Sequence, residues 1–347
     1  MTPRQQTWDP LRHHGDAEAA AGLVDFAVNV HGCAPPDWLQ RRLAARLPDL
    51  ARYPSAAEER RARGVVAQRH GRDPEEVLLL AGAAEGFSLL AALEPARAAI
   101  IHPSFTEPEF ALRQAGVPIE RVVLTAPFDL RSARVPAEAD LLVLGNPTNP
   151  TSVLHPRREI ESMRRPGRIV VVDEAFADMV PEERESLAAY SAPDILVLRS
   201  LTKTWALAGL RCGYMLGPPE LLGQLAQCRP HWPLGTLQLE AIVACCQPAA
   251  VRESAAIAQQ LGADRRYLTA ALRALSNVGV TVAEPAAAPF LLVHIEQGAG
   301  VRQRLRERGI AVRRGDTFPG LSDHYVRVAV RDRAASDTLV STLREVL

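Results

Sequence analysis

Short, unbroken apolar runs alternate with amphipathic stretches through the first two thirds of the chain. Val77–Leu80, Ala98–His102, Leu141–Leu144, Ile169–Val172 and Ile195–Leu198 are rich in Val, Ile and Leu and end at polar, Pro or Gly positions. Runs this short, apolar at every position rather than every second one, predict strands buried on both faces. Between them, Glu85–Leu93 and Thr106–Ala115 carry the spacing of helices with one apolar side. Strand and helix in alternation predict an α/β fold with a mainly parallel, doubly wound sheet. The pattern places this large domain at residues 34–233.

After Pro233 the pattern changes. Leu234–Cys246 and Val251–Ser276 read as helices, Phe290–His294 and Tyr325–Val330 as strands, and Val301–Arg308 and Ala334–Val346 as further helices. The arm up to Cys33 has no strong periodicity and is expected to pack on this α+β part. A smaller domain is thus expected from residues 1–33 together with 234–347. No internal repeat or low-complexity linker interrupts the chain.

Composition narrows the class. The 347 residues are 47% hydrophobic and 23% charged, as in ordinary globular proteins. The formal net charge is zero, so no basic field exists to recruit nucleic acid. The opening MTPRQQTWDPLRHHGD has no apolar centre and does not read as a signal peptide. No run approaches the roughly 18 apolar residues of a membrane span, so a cytoplasmic protein is expected. Cys33, Cys212, Cys228, Cys245 and Cys246 form no C-x-x-C pair, and the histidines no metal-binding spacing, so no metal is expected. Adjacent Cys245 and Cys246 read as small hydrophobes on a helix.

One residue changes the picture. Lys203 is the only lysine; every other basic residue counted among the 40 Lys+Arg is arginine. Arginine replaces lysine wherever positive charge suffices, but a guanidinium stays protonated and is no amine nucleophile. The surviving amine therefore points to Schiff-base chemistry with a carbonyl. A lone lysine can also survive by chance; its neighbours argue otherwise. It follows the strand Ile195–Leu198, where open α/β sheets bind ligands. Ser200 stands three residues before it and Arg211 eight after, a hydroxyl and a guanidinium suited to a phosphate. Asp173 ends the strand Ile169–Val172, as a helix cap or as partner to a ring nitrogen. Gly145-Asn-Pro-Thr-Asn-Pro-Thr151 makes a doubly proline-fixed turn that presents Asn149. Ala81-Gly-Ala-Ala-Glu-Gly86 leads a strand into a helix whose first N–H groups can reach an anion. Phe105 follows another strand, as core or as a stacking surface.

In this order, these elements resemble fold-type I pyridoxal-phosphate (PLP) enzymes, the class I/II aminotransferase superfamily, over nearly the whole chain. The resemblance implies that Lys203 holds the cofactor as a Schiff base, Asp173 pairs with its pyridine nitrogen, and Asn149 contacts its ring oxygen, with Phe176 nearby. Gly82, Ala83, Ala84, Ser200, Thr202 and Arg211 would cradle its phosphate, and Phe105 would stack on the ring. Tyr53 would reach the cofactor phosphate of a neighbouring subunit, so a homodimer is expected. Arg327 would bind a substrate carboxylate, and Asn29 and His31 lie in the N-terminal substrate-contact segment. His31-Gly32 stands where Asn-Pro is usual, and Ser152 where glycine is usual.

Two branches are open. Leu198-Arg-Ser-Leu-Thr-Lys203 and Asp173-Glu-Ala-Phe-Ala-Asp178, with Phe176 where aminotransferases prefer tyrosine, resemble threonine-phosphate decarboxylase of the cobalamin pathway. Decarboxylation of L-threonine O-3-phosphate is thus the leading expectation, and histidinol-phosphate aminotransferase or another class I/II aminotransferase the alternative. A PLP-binding regulator would need an added DNA-binding domain and a basic stretch, and the sequence displays neither. A cofactor-free aldolase would explain Lys203 but not the phosphate cup or Asp173.

Overall fold

The structure, a computed structural model, describes residues 9–347. The first eight residues of the polar opening, on which the signal-peptide reading partly rests, lie outside the described residues.

In chain order the strands are β1 (Val24–Phe26), β2 (Val77–Leu80), β3 (Ala98–His102), β4 (Ile119–Val123), β5 (Leu141–Gly145), β6 (Ile169–Asp173), β7 (Ile195–Ser200), β8 (Gly213–Leu216), β9 (Val280–Val282), β10 (Phe290–Ile295), β11 (Ile310–Arg314) and β12 (Tyr325–Ala329). The helices are α1 (Asp37–Ala44), α2 (Ala56–His70), α3 (Ala83–Leu89), α4 (Glu107–Gln114), α5 (Arg157–Glu161), α6 (Pro219–Ala226), α7 (Thr236–Cys245), α8 (Pro248–Arg273), α9 (Gly298–Glu307) and α10 (Arg333–Val346).

Seven strands form one sheet in the order β2-β8-β7-β6-β5-β3-β4. The pairs from β7 to β4 are parallel, and only β8 runs against its neighbours. The apolar runs owe their continuity to burial on both faces. In β7, Ile195 and Val197 join the core beneath α1, α2 and α7, while Leu196 and Leu198 join the core beneath α3, α4 and α6. The carboxyl ends of β3, β5, β6 and β7 therefore open on one edge. α7 buries Leu239 and Ile242 in the same core as the large sheet. The large layer thus extends past residue 233, where the sequence pattern placed its end; α7 is apolar nearly all round because it is covered by both α2 and α1.

The second sheet runs β1-β11-β12-β10-β9. Its core joins Leu291 and Val293 to Leu268 and Leu272 of α8, Leu305 of α9 and Leu339 of α10. β1, from the arm without periodicity, pairs in parallel with β11, Val24 opposite Ile310. Among the described residues no helix is long and apolar enough to cross a membrane.

Candidate active site

The strand ends of the large sheet border a cavity of about 500 Å³, closed on its far side by β11 and β12. Its floor is built from three turns. Between β2 and α3, Gly82 has φ +81°, and a Cβ there would lie 2.7 Å from Nη2 of Arg211. Glycine is required both for the left-handed backbone and for that approach. After β7, the hydroxyls of Ser200 and Thr202 lie 2.7 Å apart. Arg211 has φ 62°, and its carbonyl accepts from Nε2 of Gln238 at 2.9 Å. Ala83, Ala84, Ser200, Thr202 and Arg211 all line the cavity. Hydroxyls, a guanidinium and the first N–H groups of a helix make an anion cup.

Lys203 and Asp173 face the cavity above this cup. Burial, reinforced by Arg327 and Arg211, pulls the Lys203 amine down to about 8. Burial pushes the Asp173 carboxyl up to about 6, against the pull of the Ala175 N–H and Lys203. Oδ1 of Asp173 accepts that N–H at 3.0 Å. The side chain thus caps its own turn and still faces the cavity, so the two readings of Asp173 are compatible. Asn149 is presented by a turn with cis bonds before Pro147 and Pro150. Its Oδ1 accepts from Arg327, which leaves the amide nitrogen to face the cavity. Ser152 takes the left-handed conformation that favours glycine, φ 65°. The strain is offset by tethers: its hydroxyl accepts from Ala288 N–H at 2.9 Å and its carbonyl from Ala287 N–H at 2.8 Å.

The opposite wall carries two arginines side by side. Arg313 of β11 and Arg327 of β12 are register partners, both buried, and both line the cavity. Arg327 donates to Asn149 and to the Ala27 carbonyl. The Asn29 amide, with its oxygen towards Arg327, accepts from Nη1 and Nε at 3.2 and 3.3 Å. Arg313 donates to Thr317 Oγ1 at 2.6 Å and packs over Phe318 at 4.8 Å. Burial lowers both, Arg327 to about 9 with Arg313 adding to the effect, and Arg313 to about 10. Among the described residues neither has a carboxylate within ion-pair distance. Two such guanidiniums are a receptor for an anion.

A third wall comes from the N-terminal arm. His14 pairs with Glu107 and lies tilted against Phe105, ring centres 5.3 Å apart. Thr106 donates to the Leu11 carbonyl at 2.6 Å, holding the arm in place, and Asp16 also faces the cavity. None of His14, Asp16, Glu107 or Arg313 was singled out in the sequence. Arg313 had a readable signal, a charged pair ending an apolar run at Ile310–Arg314.

Two expected residues stand elsewhere. His31 does not line the cavity; its backbone N–H donates to the Lys203 carbonyl at 2.9 Å, and burial and Arg331 hold its half-buried ring below the usual imidazole range. Tyr53 is 75% exposed, stacked on Trp232 at 4.2 Å, away from the cavity of its own chain.

A sheet of this order with a lysine after β7 and an aspartate ending β6 defines a fold-type I PLP enzyme. The chain belongs to the class I and II aminotransferases, whose family model matches residues 21–343. It is 59% identical over 320 residues to a histidinol-phosphate aminotransferase of Mycobacterium tuberculosis, covering 92% of this chain and 87% of that one. It is 30% identical over 338 residues to the threonine-phosphate decarboxylase of Salmonella typhimurium, covering 94% and 91%. A solved histidinol-phosphate aminotransferase from Sinorhizobium meliloti, in complex with pyridoxal-5'-phosphate, shares the fold with a TM-score of 0.78 at 19% identity, covering 92% and 89%. The cofactor is PLP. The donor set fits it: an anion cup that a Cβ at Gly82 would crowd, an amine, a carboxylate and an aromatic face share one cavity.

Proposed function

We propose that the protein is an aminotransferase that moves the amino group of histidinol phosphate to a 2-oxo acid. The observation that carries this reading is the 59% identity over 92% of the chain to a protein of that name, against 30% for the decarboxylase. The leading expectation of decarboxylation rested on the Leu198–Lys203 and Asp173–Asp178 motifs, with Phe176 where aminotransferases prefer tyrosine, and the more similar relative favours the alternative. Phe176 lines the cavity and packs edge-on against Phe290, ring centres 5.0 Å apart.

When bound, PLP supplies a carbonyl with which amines condense and a ring that withdraws electrons from the substrate Cα. The chain's own residues do the rest. Lys203, neutral in part near pH 8, would hold the cofactor through its amine and would move the proton at the substrate Cα. Asp173 would supply a negative charge to the cofactor's ring nitrogen, and Asn149 would offer its amide N–H to the ring oxygen. Ser200, Thr202, Arg211 and the start of α3 would hold the phosphate, and Phe105 would supply an aromatic face. Histidinol phosphate carries a phosphate and no carboxylate, whereas the 2-oxo acid carries carboxylates. Arg313 and Arg327, adjacent and, among the described residues, without a carboxylate at ion-pair distance, suit both anions in turn.

We further propose that the protein acts as a homodimer in which Tyr53 meets the partner's cofactor phosphate, and that the two sheets head separate large and small domains. The substrate is tested by offering it two ways. Histidinol phosphate with 2-oxoglutarate is expected to yield glutamate. Release of CO₂ and aminopropanol phosphate from threonine phosphate, without glutamate in the first assay, would return the assignment to decarboxylation.

A further inference from the structure

Two charged residues sit one position away from the cofactor site and face the other side of the sheet. Glu174 follows Asp173, and Arg199 precedes Ser200 in β7. Side chains alternate along a strand, so Arg199 points away from the cavity. Its guanidinium meets Glu174 at 3.2 Å, Glu183 at 2.6 Å, and Asp178. Arg69 of α2 reaches the same Asp178 at 3.1 Å and Glu183 at 2.8 Å. Glu174 further accepts the Leu187 N–H and the Ser186 hydroxyl, each at 2.6 Å. Both cations thus stand on rigid elements, and all three carboxylates stand on the segment 174–183.

That segment is also the seat of the second sheet. Phe176 and Met179 pack with Leu261 of α8 and with Phe290 and Val330. Its backbone is left-handed at Glu182 and Glu183, with φ 63° and 46°, and again just beyond it at Glu185, φ 64°. Residues other than glycine hold such angles only where their surroundings over-determine them. The cluster is not fully satisfied. Oδ2 of Asp178, Nε of Arg199, and Nε and Nη1 of Arg69 are buried among the described residues without a hydrogen-bond partner. Buried ion pairs of this kind are frequently no more stable than well-packed apolar side chains. What they do provide is one fixed arrangement.

We propose that Arg199 and Glu183 are positioning residues: their ion cluster clamps the 174–187 segment against β7 and sets where Asp173 and Phe176 meet the cofactor. This rests on the cofactor assignment at Lys203 and Asp173 and is independent of the substrate. The test uses the full chain with PLP as probe and the variants Arg199→Lys and Glu183→Gln. Thermal melting checks folding, and the visible absorbance of bound PLP is followed across pH together with its dissociation constant, KM and kcat. The pH midpoint of the band is expected to move in both variants. PLP affinity and kcat should fall by roughly tenfold to a hundredfold, the loss that follows a misplacement of about 1 Å, with KM little changed. A lower melting temperature with an unmoved band and unchanged PLP affinity would make the cluster structural only and overturn the proposal. If Arg199→Lys does not fold, Glu183→Gln, whose side chain is 29% exposed, decides by the same readouts. A wild-type protein with no visible band would instead overturn the cofactor reading on which the proposal stands.

Discussion

Lys203 shows how a site sets the chemistry of one side chain. An amine attacks a carbonyl only when neutral. Lowering its pKa from 10.5 to about 8 gives roughly 300-fold more neutral amine at neutral pH. The cause is burial first and the two flanking arginines, Arg327 and Arg211, second. The cofactor-free protein should therefore load PLP at a rate that rises with pH, reaches half its maximum near pH 8 and levels off above it. Stopped-flow absorbance of PLP capture reads this directly. A rate still climbing beyond pH 10 would mean an unshifted amine. Lys203→Ala should show no covalent capture at any pH. Asp173 moves the opposite way for the same reason, since burial opposes charge of either sign.

At the scale of elements, the turn between β2 and α3 makes the sharpest prediction. Gly82→Ala forces a side chain onto a positive-φ, extended-ψ backbone (φ 81°, ψ 159°) open essentially to glycine alone, at a cost of about 1–3 kcal/mol. It also places Cβ 2.7 Å from the Arg211 guanidinium. PLP affinity should fall about tenfold or more, measured by titration of the cofactor-free protein, while far-UV circular dichroism stays unchanged. Unchanged affinity would exclude this turn from the phosphate cup. The turn was visible in the sequence because glycine and alanine follow an apolar run. β2 and β3 were legible to the residue, being buried on both faces. β4 was not: it is an edge strand, and Glu120 and Arg121 face solvent, which breaks the apolar run. β8 was hidden inside the segment that carries Lys203. α2 shows no apolar stripe and is marked instead by its caps, Ser55 with Glu58 at the start and Gly71 at φ 64° at the end. Floor residues such as Ala83 and Ser200 could be named because they end or follow recognisable strands, and Thr202 and Arg211 because they share a segment with Lys203. Of the wall residues, Asn29, Phe105 and Arg327 could be named by resemblance, and His14, Asp16, Glu107 and Arg313 could not. His14 meets Glu107, and Arg313 meets Arg327, only through pairings between distant parts of the chain.

For the molecule as a whole, the surface that holds Tyr53 is the place to test assembly. Leu47, Leu50, Tyr53 and Trp232 are each more than half exposed, on one short stretch of chain and the aromatic stacked on it. Exposed apolar side chains are what a second subunit would cover, so a substitution here tests assembly. Light scattering should give the mass of a dimer, and Trp232→Glu should shift it towards the monomer with a loss of PLP affinity. A wild-type monomer at working concentration would remove the shared site.

The pairing of β1 with β11 has a consequence in time. Val24 lies opposite Ile310, and the arm that follows Asp9 supplies a wall of the cavity. A ribosome adding roughly 5–20 residues per second makes β1 wait on the order of tens of seconds for the strand beside it. The large sheet, whose strands end at Leu216, is complete well before then. β1 therefore leaves the ribosome long before the strand it pairs with, and the arm can take its place beside the cavity only once β11 is made. Termination before Ile310 would leave β1 without its partner and its edge open to other chains.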